Sequence, residues 1–214
     1  MTYPFRNISP KRTFTKHYAQ YNRYKPYLAD DFNHKCGYTD CSDHWFGGQR
    51  NFQIDHFKPK SIYPQLISEY SNLVYCCSYV NREKWEDDNP NYLDPCDVDY
   101  NLHFERDDNG YIVGKTPQGC YMVEHLQLNL ARYAICWNLD RLDAKIKKLE
   151  KVTIGLSCDG TLLELYKEYR KYEKYLRSNL LIIALKQYRL YHSNDTASLA
   201  WLQVSLFTWL AIPV

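Results

Sequence analysis

Residues 52–57, Phe-Gln-Ile-Asp-His-Phe, alternate apolar and polar side chains. That is the period of a strand with one face buried. Lys58-Pro59-Lys60-Ser61 breaks the run, because proline has no amide hydrogen and restricts the residue before it. Leu73-Val74-Tyr75-Cys76-Cys77 reads as a second strand, and Arg82-Glu83-Lys84-Trp85-Glu86 as the start of a helix. Strand, loop, strand and helix follow each other within one short segment. Such an order points to an α+β fold with a small β-hairpin and helix unit at its centre.

The rest of the chain is mainly helical in pattern. Residues 1–35 mix Arg6, Lys11, Arg12, Lys16, Arg23 and Lys25 with Tyr and Phe. They form either an arm running over phosphates or a solvated helical lead-in. Residues 36–97 hold the two strands, the cysteine-rich stretches and a loop at Asn89-Pro90 and Asp94-Pro95. Residues 98–214 open with a hairpin turning at Asp108-Asn109-Gly110 and continue as an all-helical part. Leu139, Leu142, Ile146 and Leu149 fall on one helix face. Thr161 and Glu164 make a capping box for a second helix reaching about Tyr191, and an apolar helix is expected over 196–211.

Composition removes several classes. The 214 residues carry 27 Lys+Arg against 25 Asp+Glu, a formal charge of +2, too little to bind polyanions by bulk charge alone. No apolar run approaches the roughly 20 residues of a membrane span, and the first residues, MTYPFRNISPKR, hold no apolar segment. A cytoplasmic location is expected. The 21 tyrosines suit half-buried positions, with a ring against the core and a hydroxyl at its edge. Of the eight cysteines, Cys120, Cys136 and Cys158 stand singly among apolar residues and read as small core side chains.

Asp55, His56, Asn72 and Asn81 are the candidates for chemistry. Phosphodiester hydrolysis needs a base to deprotonate water and a cation to stabilise charge on the phosphate and the leaving oxygen. Histidine titrates nearest to working pH, so His56 suits the base. Mg²⁺ (or Mn²⁺) prefers oxygen donors and keeps several waters, so Asp55 and Asn81 are sufficient protein ligands. Asn72 is expected to orient the imidazole through its ring N–H. One geometric difficulty arises: residues 55 and 56 of a regular strand point to opposite faces.

These residues resemble the HNH endonuclease motif of the ββα-metal (His-Me) finger. The segments are Phe-Gln-Ile-Asp55-His56-Phe-Lys-Pro-Lys-Ser, Ser-Asn72-Leu-Val-Tyr-Cys-Cys and Asn81-Arg-Glu-Lys84. Tyr92-Leu-Asp94-Pro95, His103-Phe104, Gly110 and Leu128-Asn129 extend the resemblance, over about residues 20–135, to the PtuB-type HNH proteins of Septu and retron anti-phage systems. The resemblance implies a metal-dependent nuclease acting beside an ATPase of the PtuA type. It implies His56 as general base, Asp55 and Asn81 as metal ligands and Asn72 as a support of the finger. DNA is the expected substrate. RNA cleavage and a non-catalytic nucleic-acid-binding adaptor are the alternatives.

The chain departs from that family at its zinc. Many members frame the finger with two Cys-x-x-Cys pairs. Here Cys36 is followed by Thr39 and Cys77 by Val80 at the matching places, with Cys41 nearby. Cys36, Cys41 and Cys77 give three candidate ligands where a tetrahedral structural Zn²⁺ takes four. Lys58, Lys60, Arg82 and Lys84 flank the motif and are expected to form a phosphate-binding rim without base readout.

Overall fold

The computed structural model describes residues 2–152 together with 160, 164, 166–172 and 174. The chain divides into two units, residues 1–148 and 149–214. In chain order the elements are β1 (Tyr3–Pro4), α1 (Lys25–Asp31), β2 (Phe52–His56), β3 (Leu73–Cys77), α2 (Ser78–Lys84), α3 (Tyr100–His103), β4 (Phe104–Arg106), β5 (Ile112–Gly114), α4 (Pro117–His125) and α5 (Ala131–Val152). Helices and two small antiparallel sheets make an α+β fold.

β2 and β3 pair antiparallel, from Phe52 opposite Cys77 to His56 opposite Leu73. Every residue of β3 is buried, which explains its unbroken apolar run beside the alternating β2. Helix α2 follows β3 without a loop and ends at Trp85, whose N–H bonds the Asn81 carbonyl. The helix therefore begins four residues before the expected start at Arg82 and stops where that reading had it continue. Cys77, still extended, serves as its N-cap residue and makes no side-chain cap hydrogen bond.

The second sheet has the order β1-β4-β5. Its β4–β5 hairpin turns as expected, with Gly110 at φ 90°, a conformation glycine takes without steric cost. β1 adds a third strand, so the N-terminus enters the fold. Phe5, Tyr24, Leu28, Ala29 and Phe32 are buried. Arg6 is buried too, and Arg12 bonds the Leu73 carbonyl and pairs with Asp94 at 2.9 Å. These two arginines hold the core together instead of lying over phosphates.

Leu139, Leu142 and Ile146 are buried on one face of α5, as their spacing requires. Tyr24, Tyr38, Tyr75, Tyr100 and Tyr133 are fully buried, deeper than the half-buried positions expected of tyrosine. Cys136 is buried, but Cys120 is exposed on α4, with its thiol toward the Gly114 carbonyl. Residues 166–172 are helical. Cys158, the cap at Thr161 and the helix expected over 196–211 lie outside the described residues. Among the described residues no helix is long and apolar enough to cross a membrane.

Candidate active site

His56 is the last residue of β2. Its Nε2 lies 3.0 Å from the carbonyl oxygen of Ile67. A carbonyl only accepts, so the neutral ring carries its proton on Nε2 and keeps its lone pair on Nδ1. Burial lowers the His56 pKa from its ordinary value, outweighing the Ile67 bond and the Asp55 charge, which act the other way. The ring of Tyr21 meets the imidazole edge-on, with centroids 4.7 Å apart. An imidazole neutral at neutral pH with a lone pair on Nδ1 is able to take a proton from water.

Asp55 precedes it and is buried, with one carboxylate oxygen 2.6 Å from the Tyr38 hydroxyl. Lys84 reaches the same carboxylate at 3.3 Å and donates to the His56 carbonyl at 3.1 Å. This corrects the placement of Lys84 on a solvent-facing rim. Its side chain has no exposure, because it is the buried counter-charge of Asp55. Asp55 and His56 nonetheless line one cleft. The alternation of the strand is visible in their partners: the Asp55 carboxylate meets Tyr38 and Lys84, and the His56 ring meets Ile67 and Tyr21.

Asn72 does not touch the imidazole. Its Oδ1 accepts from the Lys58 N–H at 2.8 Å, and its Nδ2 donates to the carbonyls of Lys58 and Leu66. The side chain thus staples the loop between β2 and β3 across its base, next to Ile67, whose carbonyl orients His56. Asn72→Ala is expected to strand these groups and destabilise the fold by about 2–3 kcal/mol, since each buried polar group left unpaired costs about 1–3 kcal/mol. Urea unfolding at constant m-value measures this.

Asn81 lies inside α2, not at a cap, and its Nδ2 donates to Gln53 Oε1 at 2.6 Å. That bond leaves Oδ1 unused. Asn81 therefore offers the cleft an amide oxygen of the kind a hard divalent cation prefers, whereas the Asp55 carboxylate is met by Tyr38 and Lys84.

The cleft is open and measures about 510 Å³. Besides Asp55, His56 and Asn81 it is lined by Lys25, Arg50 and Lys60, by Tyr21 and Trp85, and by the acidic Glu86. Arg50 and Lys60 are exposed. Lys60 thus lies at the cleft. Lys58 and Arg82 are not among the lining residues. Lys58 is drawn to Asp88 at 2.8 Å, and Arg82 points to Glu83 at 3.3 Å. Lys25 and Arg50 take their place. Lys25 was legible only as one cation of the N-terminal arm. Arg50, Tyr38 and Ile67 carried no signal, since each joins the site by tertiary packing alone.

The candidate zinc ligands do not converge as a set. Cys36 and Cys77 sulfurs lie 3.9 Å apart. The Cys41 thiol instead donates to the carbonyls of Tyr133 and Thr39, and Val80 is buried where the family places a ligand. Burial disfavours the Cys36 thiolate, but hydrogen bonds from Cys77, Thr39 and nearby backbone bring its pKa down to about 6. Among the described residues no group of three or more His, Cys, Asp or Glu is placed to hold a metal ion.

Comparison with protein-family models, curated proteins and solved structures finds no match to this chain.

Proposed function

We propose that this chain is a metal-dependent HNH-type endonuclease that hydrolyses phosphodiester bonds of nucleic acid, with DNA as the first substrate to test. The observation that supports this reading is the tethered His56. Its Nε2 is held by the Ile67 carbonyl and its pKa is lowered, in a cleft shared with Asp55, Asn81 and three cations. In this reading the hairpin and α2 are the ββα-metal finger. His56 Nδ1 accepts the proton of the attacking water. Lys25, Arg50 and Lys60 hold phosphate oxygens without reading bases. Asp55 and Asn81 are the residues that would hold Mg²⁺ or Mn²⁺, Asp55 by exchanging its Lys84 partner for the cation, which would supply charge stabilisation at the phosphate. The resemblance adds an ATPase partner of the PtuA type and a role as effector of anti-phage defence.

The test is incubation of the chain, alone and with that partner, with plasmid DNA and total RNA in Mg²⁺, Mn²⁺ or EDTA. RNA belongs in the assay because attack by external water has no use for a 2′-hydroxyl. Metal-dependent cleavage lost in EDTA and in His56→Ala supports the proposal. Salt-sensitive binding without cleavage under all these conditions selects the adaptor reading instead.

The pH profile follows from the same geometry. The base works unprotonated, so the rate falls as pH drops through the His56 pKa. That pKa is lowered from 6.5. The acid limb of kcat/KM is therefore expected below pH 6.5, with a flat rate from there through neutrality. A limb centred above pH 6.5 contradicts the assignment of His56 as base.

A further inference from the structure

Trp85 is the most conspicuous side chain that the proposed hydrolysis leaves unused. It is 75% exposed, a rare state for the largest apolar side chain. Its backbone sits at φ 49° and ψ −131°, where a bulky residue is a genuine outlier. Packing does not account for it, since so exposed a ring buries little surface, and the local backbone would favour glycine. The position is also informative. Trp85 directly follows the buried Lys84, caps the helix that carries Asn81, and lines the cleft together with His56.

The cleft gives that ring a context. Tyr21 stands against His56, and Lys25, Arg50 and Lys60 supply positive charge along the same walls, with Asp55 and Glu86 the acidic residues of the lining. An exposed aromatic face beside phosphate-binding cations is the chemistry of single-strand recognition: cations track the backbone and the ring stacks on a base. Stacking of this kind needs a base that is free of its neighbours. A perfect duplex keeps its bases inside the helix and offers the ring only its grooves and phosphates.

We infer that Trp85 stacks on an unpaired base next to the scissile phosphate, so that this cleft takes single-stranded or locally unpaired nucleic acid in preference to perfect duplex. The inference rests on the nuclease reading for the identity of the cleft, and deepens it by naming the form of the substrate. DNA and RNA present the same base faces, so both are tested.

The experiment measures binding by fluorescence anisotropy, using the full chain carrying His56→Ala to prevent turnover, in Mg²⁺. The probes are labelled oligonucleotides of one sequence as single strand, as perfect duplex and as duplex with a central unpaired base, in DNA and RNA forms. Trp85→Leu keeps an apolar side chain without a π face, and Trp85→Phe keeps a smaller ring. Both retain a Cβ at the positive-φ position, and matched thermal midpoints show that folding is unaffected.

The single strand and the bulged duplex are expected to bind at least about 10-fold more tightly than the perfect duplex. Trp85→Leu is expected to lose about 10-fold or more on unpaired probes and less than about 2-fold on the duplex. Trp85→Phe should stay within about 3-fold of the parent, since every aromatic ring offers a stacking face. Equal binding of duplex and unpaired probes, an unchanged Trp85→Leu, or no binding to any probe overturns the inference. Cleavage by the chain with His56 intact is read in parallel. Metal-dependent cutting that is indifferent to Trp85 and to pairing leaves the nuclease standing without this inference. Trp85-dependent binding without cutting does the reverse.

Discussion

His56→Ala is expected to lower metal-dependent cleavage by about 10²–10⁴-fold, the usual contribution of a positioned general base. Substrate affinity should change little. The cations of the cleft, Lys25, Arg50 and Lys60, do not pair with the imidazole in the structure, and in the proposed function it is they that attract the phosphate. The substitution removes one bond, from Nε2 to Ile67, and one edge contact with Tyr21. His56→Gln serves as the stricter comparison, because its amide N–H is able to bond a carbonyl while offering no base of suitable pKa. If both variants lose cleavage and keep binding, His56 acts in the chemistry. If His56→Gln cuts at the parent rate, the imidazole is structural and the proposed mechanism fails.

The second large effect concerns stability. Lys84→Met is expected to destabilise the fold by about 3–5 kcal/mol, the cost of leaving one member of a buried ion pair without its partner. Lys84 has no exposure and Asp55 only 3%, and they meet at 3.3 Å. Methionine fills much of the aliphatic stem's volume, so the loss reports the missing charge more than a cavity. Asp55 would keep only the Tyr38 hydroxyl, and the His56 carbonyl would lose its Lys84 donor. The double variant Asp55→Asn/Lys84→Met is expected to recover part of the loss, since the unpaired charge is gone. Chemical unfolding of the four proteins makes a double-mutant cycle. A Lys84→Met protein as stable as the parent refutes the buried-pair account and returns Lys84 to the solvent-facing rim.

The same lysine shows where sequence reading reaches its limit. A cation three residues after Asn81, on a predicted helix beside a nucleic-acid motif, reads naturally as a phosphate contact. Nothing local distinguishes it from Arg82, which is in fact exposed. The difference is angular position on α2, and α2 begins four residues earlier than its sequence suggests. With the helix starting at Ser78, the buried Val80 lies one turn before Lys84 on the same face, a neighbour that a start at Arg82 leaves outside the helix. Asn72 gives the complementary case. Its identity as a structural member of the motif was legible, but its partners were not. They are backbone groups of Lys58 and Leu66, which no side-chain pattern announces.

The strand, loop, strand and helix order, the β4–β5 turn at Gly110 and the buried face of α5 are all legible in the amino-acid sequence. These features depend on local period and on φ preferences, which a single segment carries within itself. The sequence also singled out Asp55, His56 and Asn81, which line one cleft in the structure. Folding added that Arg6 and Arg12 turn inward, that Lys84 neutralises Asp55, and that Ile67 rather than Asn72 orients His56. It also decided that Lys25 and Arg50 replace Lys58 and Arg82 at the cleft, and that Trp85 is left exposed there. Most of these depend on which groups meet across distant segments. Such pairing is set by burial and geometry once the chain has closed on itself, and no neighbouring residue encodes it.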